Sequence, residues 1–539
     1  MAKKKTKALF GVMIAVLVVA AAAVAYIFLG VVGIDNSTPV SATVSEKVES
    51  NINTNTTVID DTAVYQTING FGASACWWAQ DVGEWENSEE IINMLYSKDN
   101  GIGLNIYRYN LGAGSKGDDH ILTENRKTEC FLQSDGSYDF TADAAAQKCL
   151  EQARAAAGDD LRVTLFANSP PASMTENNAA YGSALRDGDE WKCNLSADKY
   201  ESYADYLYKV TEHFVNGGYR VTDVSPVNEP QYSWAAWYND DGSYSVNQEG
   251  CYYSKYEARD LMNFMVERFD GSELDGKGVR LSMFESGAAE GEGTTTAAYF
   301  DCILGKGPKY VFKNKAIRNY FSRDDVNVSL HSYWSSAETK QQAADYLAER
   351  YAAYNIASTE YCQMTGDENT GVFDLISKEE NGTNGMTIEY GVAMAKVIVD
   401  DLTILNSTEW SWWLGCSYGV YPDGLIYLNP DNHKDIQASK RYWCLGNFSK
   451  FINEGASRIA CSSGVDGVAS CAFVNTDNST VIVYVNGTDN DASTAFKADG
   501  AYSVYTTDSS RNLQQTAAGE AGNTEIALPS MSVVTVVMK

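Results

Sequence analysis

From about residue 70 to residue 413 the chain repeats one pattern: a short apolar run, a polar break, then a longer segment with apolar residues every three or four positions. The strand candidates are Gly70–Ser74, Leu104–Tyr109, Arg162–Asn168, Val221–Asn228, Arg280–Glu285, Asn327–His331, Tyr354–Glu360 and Ser407–Trp413. Helical periodicity falls near Ser88–Asp99, Thr141–Ala157, Asp198–Asn216, Tyr253–Phe269, Thr294–Leu304, Ala337–Tyr351 and Thr387–Leu405, with a further segment at Asp435–Asn453. In the Asp198 segment, Tyr203, Leu207, Val210 and Phe214 share one face, Ser196 is placed to cap the start, and Gly217 ends it. Eight strand–helix units in a row predict an α/β fold of the (β/α)8 TIM-barrel type, with a doubly wound open sheet as the alternative.

Both flanks differ in texture. After Gly455, Val468–Asn475, Thr480–Asn486, Tyr502–Thr507, Glu525–Leu528 and Ser532–Met538 are short β-rich runs separated by Gly, Asn and Asp turns, which predicts an antiparallel β-sandwich at the side of the barrel. The Asp60–Ile68 segment is a candidate extra strand for it. At the other end, Lys3, Lys4, Lys5 and Lys7 precede an uncharged run, Ala8–Ile34, that as a helix would reach roughly 40 Å, enough to cross a hydrocarbon core of ~30 Å. The lysines mark the cytoplasmic side, so an uncleaved membrane anchor with the rest of the chain outside the cell is expected, and a cleaved signal is the alternative. The expected organisation is an anchor or signal at 1–34, a polar tether at 35–57, a barrel at 58–454 and a β-domain at 455–539.

Composition removes several functions. Seventy-one acidic residues against 41 basic ones give a net charge near −30, which argues against nucleic acid as a partner and for a neutral ligand. Thirty-four tyrosines and 11 tryptophans supply flat amphipathic rings suited to sugar faces. The four histidines include no H-E-x-x-H motif, and the 11 cysteines have no C-x-x-C spacing, so no metal or cofactor is indicated. The cysteine spacing does not specify disulfides.

Besides Arg280–Glu285, two of the strand candidates run out into a carboxylate. Val221–Pro230 stops abruptly at Asn228-Glu229-Pro230, where Pro230 lacks the N–H a ladder needs, and Tyr354–Glu360 runs out of the interior into Glu360. On a barrel, chemistry sits at the carboxyl ends of the strands. Two carboxyls ~5 to 5.5 Å apart at such ends are the raw material of retaining glycoside hydrolysis. At that distance and an effective dielectric near 20, two such charges repel by about 3 kcal/mol, so one of the pair keeps its proton while its neighbour ionises. The expected roles are acid/base for Glu229 and nucleophile for Glu360, with Asn228 hydrogen-bonding the sugar 2-hydroxyl.

Four stretches make the resemblance specific: Ile68-Asn69-Gly70-Phe71-Gly72-Ala73-Ser74-Ala75-Cys76-Trp77-Trp78, Leu104–Asn110, Ser225–Pro230, and Arg441–Ile452. From about Asp60 to Lys539 the chain resembles glycoside hydrolase family 30 of clan A. The resemblance implies a (β/α)8 barrel with a side-associated β-structure, retaining hydrolysis without a cofactor, the acid/base on Glu229 and the nucleophile on Glu360. The Trp77–Trp78 pair and the Asn247-Gln248-Glu249-Gly250-Cys251 segment are most similar to the endo-β-1,6-galactanase branch, whereas Phe166–Met174 departs from its pattern. The glucuronoxylanase branch is the alternative. A plant polysaccharide is therefore the expected partner of a monomeric enzyme, and a surface protein that binds glycans without cleaving them is the reading from a different class.

The remaining candidates are assigned by position. Arg108 ends the second strand, where it can hold the nucleophile ionised or serve a structural ion pair. Tyr333 is placed to donate to Glu360, and His331 to bind sugar or to pack as a core histidine. Trp77, Trp78, Trp234 and Trp413 lie at strand ends or loops, as stacking rings or core rings. Glu285, ending the fifth strand, is the rival carboxylate, expected to bond the sugar or to support the pair.

Overall fold

The computed structural model describes residues 55–305, 314–351, 355–364 and 385–539. Its main sheet has eight parallel strands: Gly70–Ser74, Ile106–Asn110, Arg162–Phe166, Arg220–Ser225, Arg280–Leu281, Asn327–His331, Asn355–Glu360 and Glu409–Trp412. Neighbours in the sheet are neighbours in sequence, and the eighth strand pairs with the first, Glu409 opposite Gly70 and Trp412 opposite Ala73. Between the fifth and sixth strands the ladder gives way to single bridges, Ser286 with Leu330, and the His331 N–H donates to the Ser286 carbonyl at 2.7 Å. The alternation of strands and helices thus yields the expected barrel.

Each strand is followed by a helix close to its expected place, among them Ala144–Ala157, Tyr200–Asn216, Lys255–Phe269, Ala337–Tyr351 and Ile388–Thr403. Tyr203, Leu207, Val210 and Phe214 are all buried on one face of the second of these helices, Tyr200–Asn216, as the periodicity requires. Its start differs from the expectation. The Ser196 hydroxyl donates to Asp198, a 3-10 turn fills 197–199, and the α-helix begins at Tyr200 without a side-chain cap.

The fourth and fifth strands are shorter than their apolar runs. Regular pairing of the fourth stops at Ser225 because Pro226 has no N–H to continue it. The chain stays extended enough for Asn228 to bridge Glu285, and the Glu229 N–H donates to the Glu285 carbonyl at 2.8 Å. The loops after the third and fourth strands join in a small sheet that periodicity had not marked, made of Gly182–Leu185 from the first and Ala235–Tyr238 and Tyr244–Ser245 from the second.

The C-terminal part is an antiparallel sandwich. Val58–Thr67 forms the edge of a seven-stranded sheet by pairing with Ser457–Ser462, so the segment before the barrel does supply the extra strand. Ala492–Ala498 and Gly522–Leu528 pair as a second layer. In Thr480–Asn486, Ile482 and Tyr484 face that layer while Val481, Val483 and Val485 join the barrel's core, a period of two read onto two apolar surfaces. Asn447, in the helix Lys440–Ser449, clasps the sheet: its Nδ2 donates to Thr535 Oγ1 at 2.9 Å and its Oδ1 accepts from Thr507 at 2.6 Å.

The expected anchor lies outside the described residues, and no helix among the described residues is long and apolar enough to cross a membrane. Of the expected tether, Asn55–Thr57 are held by the sandwich: the Asn55 and Thr57 N–H groups donate to Gly464 and Ala495 carbonyls.

Candidate active site

At the carboxyl ends of the barrel strands, five ionisable side chains from five strands meet in one buried cluster. Arg108, which is 1% exposed, donates from Nη1 to Glu360 Oε2 at 2.7 Å and from Nη2 to both Glu285 oxygens at 3.2 Å. The same Nη2 lies 3.3 Å from Asn228 Oδ1. His331 bridges the other side, with Nδ1 2.9 Å from Glu229 Oε1 and Nε2 3.1 Å from Glu285 Oε2. Tyr333 donates its hydroxyl to Glu360 Oε1 at 2.9 Å, and Thr359 donates to Glu285. Glu229, His331 and Glu360 each bring one polar atom within 4.8 Å of the others.

The electrostatics follow from burial. Losing water disfavours charge on every member, yet three carboxyls and two cations are packed together. Burial would lower the His331 value, but Glu360, Glu229 and Glu285 outweigh it and push it up to about 10, so the ring is an imidazolium at neutral pH and donates from both nitrogens. Burial would raise Glu285, but Arg108 and His331 outweigh it and hold that carboxyl well below the usual range. Glu360 is raised, by burial first and by Glu229 and Glu285, with His331 and Arg108 opposing. The cluster balances when one of its three carboxyls carries a proton.

Three carboxyls and an imidazole resemble a ligand set for a cation. A doubly donating imidazolium, however, has no lone pair to give a metal. As built, the donor set is a charge-paired hydrogen-bond network.

The backbone contributes. Glu229 has φ +42°, Trp234 φ +45° and Trp334 φ +53°, left-handed conformations rare for bulky residues and costing of order 1–3 kcal/mol each. Trp234 secures the first turn by donating its indole N–H to the Glu229 carbonyl at 2.8 Å. Gly287 leaves room for Glu229: a β-carbon there would stand 2.7 Å from the Tyr232 ring and 3.1 Å from Glu229 Oε1.

The four tryptophans expected as stacking rings separate. Trp77 and Trp413 meet edge to face at 5.3 Å and are almost wholly buried, Trp413 extending the wall against which Arg108 lies 3.5 Å over Phe166. Trp234 is half-buried beside Tyr232. Trp78 is corrected: it is 1% exposed, its indole N–H donates to the Ser74 carbonyl, and its ring lies against Gly415, so it is a core ring. Successive residues after a strand turn to different sides, which is why one of two adjacent tryptophans faces away from the cluster. Asn228 is oriented by Arg108 and by Asn168, to whose Oδ1 it donates at 3.3 Å.

Sequence reasoning had not singled out Tyr232, Trp334, Thr359, Asn168 or Gly287. Tyr232 and Trp334 each lie within five residues of a candidate and meet edge to face at 6.3 Å, Trp334 being 37% exposed. A separate cavity of about 670 Å³ is lined by Gln80, Lys116 and Asp143 and by none of the cluster's residues.

The model of O-glycosyl hydrolase family 30 matches residues 54–427, and that of the glycosyl hydrolase family 30 beta sandwich domain matches residues 455–536. An endo-beta-1,6-galactanase of Hypocrea rufa is 24% identical over 426 residues, 74% of this chain and 75% of that protein. A conserved exported protein from Bacteroides fragilis has the same fold with a TM-score of 0.73 at 24% identity, covering 90% of this chain and 100% of the other. The catalytic domain of GH30 xylanase C from Talaromyces cellulolyticus gives 0.63 at 21% identity, with 90% and 100% covered.

Proposed function

Because the chain belongs to glycoside hydrolase family 30 and is an O-glycosyl hydrolase, we propose that it cleaves its glycan with retention, Glu229 acting as acid/base and Glu360 as nucleophile. The observation that carries this reading is spacing: an oxygen of each carboxyl lies within 4.8 Å of one on the other. That suits direct attack, for which carboxyls stand ~5 to 5.5 Å apart, and is too tight for the ~6.5 to 9.5 Å that an inverting enzyme leaves for water.

Each partner has a task. Glu360 attacks the anomeric carbon as the anion, and the Arg108 and Tyr333 donors stabilise that anion and fix the oxygen that attacks. Glu229 protonates the departing glycosidic oxygen, then takes a proton from the water that releases the sugar from Glu360. Asn228, with its oxygen held by Arg108 and one amide N–H by Asn168, keeps its second N–H for the sugar 2-hydroxyl. Glu285 is the anionic counterweight that holds Arg108 and the His331 imidazolium in place.

For the substrate we infer β-1,6-galactan side chains of plant arabinogalactan, cut internally. The galactanase relative and the Trp77-Trp78 and Asn247–Cys251 stretches support this reading. The lysine-flanked apolar N-terminus supports a place on the outer face of the plasma membrane, where such a polymer is met, or secretion if that segment is cleaved. The test is reducing-sugar release from β-1,6-galactan and from glucuronoxylan by wild type and by Glu360→Ala. Release from galactan alone, abolished in the variant, is expected. Release from xylan alone would transfer the assignment to that polymer, and binding of either glycan without release by the wild type would overturn the hydrolytic roles of both glutamates.

A further inference from the structure

Two cysteines far from each other in sequence are brought together on the outer side of the loop that carries Glu229. Cys193 lies between the Gly182–Leu185 strand and the Tyr200–Asn216 helix, and Cys251 lies just before the Lys255–Phe269 helix. Both segments are fastened to the same three residues: Asn194 Nδ2 donates to the Ala179 and Tyr181 carbonyls at 3.0 and 2.9 Å, and the Gly250 N–H donates to the Ala180 carbonyl at 2.9 Å. Trp191 and Tyr252 meet edge to face at 5.7 Å on the outside of this junction. Within it, Cys251 Sγ accepts the backbone N–H groups of Asn194 and Leu195, and the two thiols are in hydrogen-bonding contact. The Cys193 thiol also lies 3.2 Å from the Leu195 carbonyl.

We propose that Cys193 and Cys251 are a disulfide pair, closed when the chain meets a disulfide oxidant such as oxidised glutathione or the active-site disulfide of a thiol oxidoreductase. Access and order are built in. Cys193 is half-buried and lines a surface recess of about 540 Å³ with Glu176, Tyr200 and Glu257, whereas Cys251 is 1% exposed. The Cys193 thiolate attacks the oxidant's disulfide and displaces one of its sulfurs as a thiol. Cys251 then attacks the sulfur of Cys193, and the second oxidant thiol leaves, so two thiol protons and two electrons pass to the oxidant. Burial opposes ionisation of Cys251, but the Cys193 thiol and the Asn194 and Leu195 N–H groups outweigh it, while the same contact pushes the Cys193 thiol up; the first attack, by the accessible Cys193 as it gives up its proton, is therefore the slow step, and the second, by Cys251, is the favoured one.

The bond would close a loop that contains Asn228, Glu229 and two strands of the small sheet, Ala235–Tyr238 and Tyr244–Ser245. Gly250, next to Cys251, packs so closely on the Trp234 ring that a β-carbon there would stand 2.6 Å away, and Trp234 holds the Glu229 carbonyl. Cross-linking therefore braces the support of the left-handed turn at Glu229 against thermal opening.

The test uses the full chain incubated with oxidised glutathione, denatured without reductant, alkylated with iodoacetamide and digested. The expected result is one peptide pair joining Cys193 to Cys251, two hydrogens lighter than the separate thiol peptides. A melting temperature lowered by a phosphine reductant in wild type, and insensitive to it in Cys193→Ser and Cys251→Ala, is the second expected result. Alkylation of both residues after oxidation, or linkage of either to a different cysteine, overturns the proposal, and the wild-type peptide map decides it even if a variant fails to fold.

Discussion

Replacing Arg108 with glutamine tests whether the cluster's main cation sets the ionisation of Glu360. Its Nη1 sits 2.7 Å from a Glu360 oxygen, and both groups are at least 95% buried. With charge centres near 4 Å and an effective dielectric near 20, the attraction lost is about 4 kcal/mol. The His331 imidazolium remains, and a carboxyl beside an arginine is displaced by roughly one to three pH units, so a rise of about two units in the Glu360 value is expected. Burial and its carboxylate neighbours already raise that group in the wild type, which places the acid limb of kcat/KM above the ordinary carboxyl value of 4.5. In Arg108→Gln the limb moves up by about two more pH units, so the loss is about a hundredfold greater on the acid side than on the alkaline side of the profile. Arg108→Lys keeps the charge but not the fork and shifts the limb by less than about one unit. The assay is a pH–rate profile on an aryl glycoside, with circular dichroism to verify folding, since breaking the buried Arg108 pairs and leaving Glu360 and Glu285 to the His331 imidazolium costs about 3–5 kcal/mol of stability. An acid limb that stays at the wild-type pH in Arg108→Gln, with activity lowered equally at every pH, would refute the reasoning and leave Arg108 a structural residue.

The other predictions follow from the same contacts. Gly287→Ala drives a methyl group into Tyr232 and Glu229 Oε1, so kcat should fall by about ten- to a hundredfold while the denaturation midpoint changes little; steady-state kinetics checks it. Trp334→Ala removes a 37% exposed ring that packs on Tyr333 and Tyr232, and KM for oligosaccharides should rise up to about tenfold with kcat less affected. Glu409, at the opposite end of the barrel from the cluster, is raised to about 7 by burial first and by Asp223, and its Oε2 has no hydrogen-bond partner. Because its folded value lies above the unfolded one, the native state binds the extra proton, and stability falls as pH rises from about 4.5 through about 7. Glu409→Gln should therefore gain up to ~3 kcal/mol at pH 8 and almost nothing at pH 4, measured by denaturant unfolding at both pH values.

Seen from the sequence, the barrel was legible because its signal is local and repeated. A strand buried by crossover helices must be apolar along its length, and a helix that covers it must be apolar on one face, so eight repeats of those two textures leave few alternatives. Glu229 and Glu360 were legible for the same reason: each closes an apolar run, and strand ends on a barrel point to one rim. The shortened fourth strand was half visible, because Pro226 was there to be read, but the left-handed turn at Glu229 depends on the Trp234 indole and on the space left by Gly287.

What the chain alone could not decide is direction. It placed Trp77 and Trp78 together, and only packing sends Trp78 into the core while Trp77 joins Trp413 beside Arg108. It left Glu285 as a rival to Glu360, and only the meeting of five strands gives Arg108 and His331 to Glu285, making it their anionic anchor. Residue type and period are properties of neighbours along the chain, so a sequence carries them openly. Which carboxyl receives a cation, and which ring faces the cleft, are properties of neighbours in space, set when strands more than two hundred residues apart close into one barrel.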